Sequence, residues 1–156
     1  MRLAVCIVYV LLQSLVNAEC PSGWIHFDNG CYFFSTEAFN WYLAEFSCRA
    51  HDARLVEVQS KELSDFIVNM ANLVSRFNYW LGGRDHVIDG KWQWASTDSD
   101  FTFTAWGAGE PNGGPRENCL DIKLDHGYTW NDEDCSLVLQ YICEKKYHGP
   151  ENEIVG

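Results

Sequence analysis

Five side chains that offer oxygen fall in two short stretches of the chain. The first stretch reads Gly109-Glu110-Pro111-Asn112-Gly113-Gly114-Pro115-Arg116-Glu117-Asn118-Cys119, and the second is Thr129-Trp130-Asn131-Asp132, closed by Cys135. Glu110, Asn112, Glu117, Asn131 and Asp132 supply carboxylates and amide carbonyls, the ligand types that a hard cation such as calcium gathers in sets of about six to eight. Proline and glycine let the backbone turn sharply enough to aim several such groups at one point. Cys119 and Cys135 could clamp the two stretches together. The same composition also suits an ordinary acidic surface loop, because Asp, Asn and Gly are common loop residues, so spacing by itself leaves both readings open.

The elements that must hold these stretches can be read from periodicity. Ser35 or Thr36 can cap a helix over residues 37–51, in which Trp41, Ala44 and Cys48 recur at helical spacing and should face inward. Leu55-Val56-Glu57-Val58 is a short strand candidate. Ser60 can cap a second helix whose Leu63, Phe66, Ile67, Met70 and Val74 keep the i, i+3, i+4, i+7 pattern of a core stripe. From Tyr79 the texture changes to short strands between polar turns, with candidates at residues 79–82, 91–95, 120–124 and 141–144. Two helices followed by strands and long loops give an α+β domain. The stretch 96–118 is too long for a hairpin turn, and long ordered loops in small domains are usually functional.

The chain ends and the overall charge narrow the class further. Arg2, the apolar run over residues 3–16 and the small residues before Glu19 read as a secretory signal peptide over residues 1–18, the run being too short for a membrane span of ~20 residues. The rest should be secreted and extracellular, without membrane insertion. Cys6 leaves with the signal, and six cysteines remain, which reads as a disulfide framework with ~15 possible pairings. Zinc is the competing use of cysteine, but no Cys-x-x-Cys pair is present. The formal charge of −11 becomes −12 once Arg2 is lost, which makes nucleic acid and anionic lipid poor partners. The sequence contains no Asn-x-Ser/Thr glycosylation site, internal repeat or low-complexity run, and residues 146–156 read as a polar, fraying tail.

The pairing of Glu110-Pro111-Asn112 with Trp130-Asn131-Asp132 resembles the C-type lectin domain family in its mannose-type form. Cys20-Pro21-Ser22-Gly23-Trp24 and Cys31-Tyr32-Phe33-Phe34 are similar to that family's opening hairpin, and Trp80-Leu81-Gly82-Gly83 and Trp92-Gln93-Trp94 to its central strands. The resemblance covers about residues 20–143. It implies a domain over residues 19–145 with two helices packed on short antiparallel sheets and a long calcium- and sugar-binding loop. It also implies the disulfides Cys20–Cys31, Cys48–Cys143 and Cys119–Cys135.

The resemblance further implies calcium (Ca2+) among Glu110, Asn112, Glu117, Asn131 and Asp132, with the Asp132 backbone carbonyl as an added ligand and a cis Glu110–Pro111 peptide. The same five residues would bind the carbohydrate, through neighbouring hydroxyls of the kind found in mannose, N-acetylglucosamine or fucose. Partners would be glycans on microbial or host surfaces, in innate immune recognition, and a homo-oligomer would raise avidity. A second calcium position found in some relatives is matched by Asp85 and Asp89 but not by Gly113 and Asn118, so those two acids read as surface turn residues. His126 and Tyr128 could touch a bound sugar or form a solvent-exposed turn around Gly127. Arg116 could meet a charged glycan or balance its acidic neighbours, and Trp106 reads as packing.

Two other classes compete with this reading. A secreted protein of the same fold could bind proteins or mineral surfaces without sugar. An enzyme using Glu110 and Glu117 as a glycosidase pair needs flanking features that are absent, so no catalytic residue is assigned.

Overall fold

The central strand of the molecule is β4 (Tyr79–Arg84), whose alternate side chains feed two separate cores. The computed structural model describes residues 20–147. The expected signal peptide and most of the expected tail therefore lie outside the described residues.

The chain opens with the hairpin β1 (Ile25–Phe27) and β2 (Gly30–Phe34), followed by α1 (Trp41–Ala50), β3 (Arg54–Leu55) and α2 (Lys61–Val74). After β4 come β5 (Gln93–Trp94), β6 (Cys119–Lys123), β7 (Thr129–Glu133) and β8 (Gln140–Lys146). The sheet order is β1-β2-β8-β4-β6-β7, with β3 paired to β8 and β5 to β4. All pairings are antiparallel except β4 with β8, where Tyr79 lies opposite Gln140 and Trp80 opposite Tyr141.

Strand alternation sorts the side chains into two layers. Tyr79 and Leu81 of β4, Leu120 and Ile122 of β6, and Ile142 of β8 pack with Ile67 and Ala71 of α2. Trp80, Cys119, Tyr141 and Cys143 face the other way, onto Trp41, Ala44 and Cys48 of α1. Gly82 has no room for a side chain, since a Cβ would stand 2.8 Å from the Leu55 carbonyl oxygen, and this lets β3 cross close to β4.

The disulfides are Cys20–Cys31, Cys48–Cys143 and Cys119–Cys135. The α+β architecture and this bridge pattern match the expectation. Cys48–Cys143 ties α1 to β8 across 95 positions. Closing so long a loop is worth on the order of 4–5 kcal/mol in the chain-entropy picture.

Several boundaries differ from the expected ones. α1 starts at Trp41, and its cap is Asn40, whose side chain accepts from the Leu43 N–H at 2.9 Å. Ser35 is spent elsewhere: its Oγ accepts from Tyr141 N–H at 2.8 Å, while Phe39 bridges Leu139. In α2 the stripe holds through Met70, but Val74 is 44% exposed and leaves the core. The strand at 55–58 is laddered only at Arg54–Leu55, because Val56 N–H turns to Ile142 and its carbonyl to Gly82 N–H. The strand at 91–95 shortens to Gln93–Trp94. β8 continues to Lys146, and Tyr147 N–H still bonds Asn29, so the start of the expected tail is strand. No helix among the described residues is long and apolar enough to cross a membrane.

Candidate functional site

The stretch that carries Trp130-Asn131-Asp132 is β7, the edge strand beside β6. Its outer edge is covered by the long loop: Trp130 N–H bonds the Ala105 carbonyl at 2.9 Å, and Gly107 N–H bonds the Trp130 carbonyl at 2.8 Å. Trp106 packs against Trp92 and Trp130 at ring-centroid distances of 4.9 and 5.6 Å, which anchors this part of the loop. The loop then turns at Gly109, where φ is +90°, and passes through a cis Glu110–Pro111 peptide.

Asp132 ties the loop to the strand. Its buried carboxylate accepts from Asn112 N–H at 2.9 and 3.0 Å (Oδ1 and Oδ2) and from Gly113 N–H at 2.7 Å. Charge-assisted bonds of this kind are the stronger class of hydrogen bond. They hold Glu110 and Asn112, on either side of Pro111, against β7. A short 3-10 turn at Gly114–Arg116 then swings Glu117 back, and its side chain lies over Gly113 in space that any Cβ there would fill. Asn131 is buried, and its Nδ2 donates to Asp121 Oδ1 at 2.8 Å and to the Asp132 carbonyl at 2.6 Å.

The carboxylates here are crowded and incompletely satisfied. Glu110 Oε2 and Asp121 Oδ2 are shielded from solvent without a hydrogen-bond partner. Burial, then the neighbouring Asp132 carboxylate, raises the Glu110 pKa above its ordinary value. Burial, then the charges of Glu133 and Asp132, does the same at Glu117. Asp121 is fully buried, and its pKa is pushed up to about 7, chiefly by desolvation, with Asn131 and Lys123 opposing. An all-oxygen cluster with shielded, unpaired acceptors fits a hard cation.

The five expected residues are brought to one end of β7 and the loop above it. Asp121, Lys123 and Glu133 also belong to this neighbourhood, and the sequence reading missed them. The visible signal was the alternation in Cys-Leu-Asp-Ile-Lys, which puts Asp121 and Lys123 on the face opposite Leu120 and Ile122.

Other expectations need correction. Tyr128 is neither a sugar contact nor an exposed turn residue: it is 2% exposed, with its hydroxyl 3.4 Å from the Ala71 carbonyl. Its φ of +60°, following Gly127, turns the ring inward. His126 and Arg116 are exposed, as a loop reading allows. Asp85 is not a surface turn residue. It is 4% exposed, accepts from Gly90 N–H at 2.8 Å through Oδ2 and leaves Oδ1 unpartnered, whereas Asp89 is exposed. Asn118 uses its Nδ2 on the Pro115 carbonyl. His86 lies beside Cys119 and Cys135, but both sulfurs are in a disulfide and offer no thiolate to a metal.

Residues 37–145 match the family described as lectin C-type domain. The chain belongs to the C-type lectin family. It is 37% identical over 130 residues to perlucin of Haliotis laevigata, covering 81% of this chain and 83% of that one. The mouse scavenger receptor C-type lectin carbohydrate-recognition domain superposes with a TM-score of 0.77 at 30% identity, covering 83% of this chain and 98% of that chain. A Ca2+-dependent type II antifreeze protein, in its Ca2+-free form, superposes with a TM-score of 0.75 at 29% identity, covering 81% and 100%. The C-type lectin family is one of binding proteins rather than enzymes, and carbohydrate binders are among these relatives.

Proposed function

We propose that this chain is a secreted, calcium-dependent lectin that selects mannose-type glycans. The observation that carries the reading is the Asp132 clamp. Two loop N–H groups on one carboxylate hold Glu110 and Asn112 against Asn131, and a shielded Glu110 oxygen is left without a partner. Glu110, Asn112, Glu117, Asn131 and Asp132 would hold the calcium, which when bound offers open coordination positions to two neighbouring sugar hydroxyls.

The side chains then read the sugar by hydrogen-bond polarity. A hydroxyl has one proton and two lone pairs, so it can meet the cation, donate to Glu110 or Glu117, and accept from the Asn112 amide. Acid before amide in the Glu-Pro-Asn order matches one arrangement of hydroxyls and mismatches its reverse. The signal-like leader read in the sequence and the three disulfides support secretion, and microbial or host surface glycans in innate recognition are the partners proposed. A homo-oligomer would supply the avidity that a single weak sugar site lacks.

A glycan array run with calcium and with EDTA tests this reading. Binding to mannose-terminated glycans that EDTA abolishes and free mannose competes is the expected result. The likeness to an antifreeze protein favours one second reading, a surface-binding protein that uses the fold without sugar. Adsorption to a mineral or protein surface that mannose leaves unchanged would support that reading instead.

A further inference from the structure

The face of β6 and β7 beneath the loop carries a cation of its own. In the antiparallel register Cys119 lies opposite Glu133, Asp121 opposite Asn131, and Lys123 opposite Thr129. Lys123 Nζ nevertheless reaches Glu133 Oε2 at 3.0 Å, so its side chain runs along the strands past the Asp121–Asn131 rung. Both partners are largely shielded, Lys123 at 27% and Glu133 at 16% side-chain exposure.

The ammonium acts on more than its direct partner. On its way to Glu133 the Lys123 stem passes Asn131, a proposed calcium ligand on the same strand face. Burial by itself would lower the Lys123 pKa, but the bond to Glu133 and the charges of Glu133, Asp121 and Glu110 outweigh that and raise it. The basic residues of the loops around these acids, Arg116 and His126, are exposed. Lys123 is therefore the shielded positive charge in a cluster of carboxylates.

We propose that Lys123 is a resident cation of this site: it neutralises the carboxylate cluster in the metal-free protein and thereby sets how weakly calcium binds. The proposal rests on the calcium reading of Glu110, Asn112, Glu117, Asn131 and Asp132. Lys123 is not a metal ligand. A fixed ammonium beside a dication repels it, and the repulsion disappears when the ammonium is replaced by a neutral group of similar shape. The same replacement leaves the acids of the metal-free protein facing one another without their shielded counter-charge. The two effects have opposite signs, which separates them from those of a simple surface ion pair.

The test is calcium titration by isothermal calorimetry on the wild type, Lys123→Met and Lys123→Arg, with melting of each protein in EDTA. Lys123→Met should bind calcium roughly tenfold more tightly, the scale expected for one unit charge near a dication in a water-like dielectric. In EDTA it should melt lower than the wild type. Lys123→Arg keeps the charge and should bind calcium as the wild type does. Lys123→Gln gives a second neutral variant if the Met protein folds poorly. Glu133→Gln should move calcium affinity the other way, since it removes an acid and leaves the ammonium uncompensated. Equal calcium affinity in the wild type and both neutral variants, with only the melting point lowered, overturns the proposal and leaves Lys123–Glu133 as a structural bridge. Absence of calcium binding to the wild type itself overturns the calcium reading, and the proposal falls with it.

Discussion

Two groups of buried acids in this molecule behave differently. Glu57 and Glu144, near the crossing of β3 with β8, are both buried, yet neither has a shielded oxygen without a partner. Glu57 Oε1 accepts from Ser96 Oγ at 2.6 Å, and its Oε2 lies 3.3 Å from Arg54 Nη1. Glu144 Oε1 accepts from Arg54 Nε at 2.8 Å and from Glu57 N–H at 3.1 Å. Around Asp132, by contrast, Glu110 and Asp121 each keep a shielded oxygen with no donor. Burying an unpaired polar atom costs free energy, so a fold that completes one acid cluster and leaves another open has a use for the second. The first group is fastening, and the second has the open acceptors that the proposed calcium site would use.

That contrast is broken most directly at the two hubs. Asp132→Ala removes a proposed calcium ligand together with the clamp on Asn112 and Gly113. Mannose binding by calorimetry should fall below detection, a loss on the order of 100-fold or more at several kcal/mol of lost contacts, while the disulfide-bridged fold persists. Retained mannose affinity would make the site assignment wrong. Glu57→Ala should do the opposite. It strips Arg54 and Ser96 of their shared partner and should cost about 1–2 kcal/mol of stability, less than a fully buried pair because Arg54 is 43% exposed and keeps Glu144, with mannose affinity unchanged. A sugar-binding defect in Glu57→Ala would mean that the two clusters are coupled.

How far the contrast was readable in advance depends on how local its causes are. α2 was legible because Ser60 and the Leu63–Met70 stripe act within a few turns. The start of α1 was not, because Ser35 and Asn40 are both suitable caps by type. The choice is made by Tyr141, 106 positions away, which takes the Ser35 hydroxyl. The five oxygen donors were visible as residue types, and the family resemblance supplied their grouping and the disulfides. Asp121, Lys123 and Asp85 were missed or taken as surface because a polar residue in a short strand or turn looks solvent-facing until its neighbours are known. Their burial comes from β7, the loop and the Asp85–Gly90 bond, none of which is a local signal. Tyr128 was misread for the same reason, since its hydroxyl reaches carbonyls of α2 and its C-cap more than 50 positions away.

The open cluster can also be altered without being destroyed. Glu110→Gln with Asn112→Asp preserves size and net charge, so calcium should remain. It exchanges acceptor and donor across the sugar, and unmade bonds at a shielded site cost roughly 1–3 kcal/mol each. Competition by mannose and galactose against an immobilised glycan should show preference for mannose reduced about tenfold or more, with at least a weak gain for galactose. A double variant that keeps calcium and still prefers mannose would mean that Glu110 and Asn112 do not read the hydroxyls.

The smallest expected effect concerns protons, and it separates the metal-free from the metal-bound molecule. Asp121 has a folded pKa of about 7 because burial penalises its charge, and that is above its unfolded value. Between the two values the folded state holds a proton that the unfolded chain has released, so stability rises as pH falls towards the unfolded pKa and is lost as pH rises through about 7. Glu110 and Glu117, also raised, contribute with the same sign. His86 opposes them: burial and Arg84 lower its pKa, so protonating it costs stability on the acid side. Comparing pH 8.0 with pH 6.5 stops before most of that opposition develops, and the metal-free protein should then melt slightly higher at the lower pH, for less than about 1 kcal/mol. Calcium reverses the preference, because it requires the same carboxylates ionised and protons compete with it. The rise in melting temperature on adding calcium should therefore shrink over the interval in which the metal-free protein becomes more stable. In the Glu57–Glu144 cluster Arg54 already supplies the positive charge, so calcium adds no such opposition there. A calcium-induced rise that stays constant from pH 8.0 to 6.5 would mean that the metal does not draw on these acids, and the difference between the two clusters would lose its functional meaning.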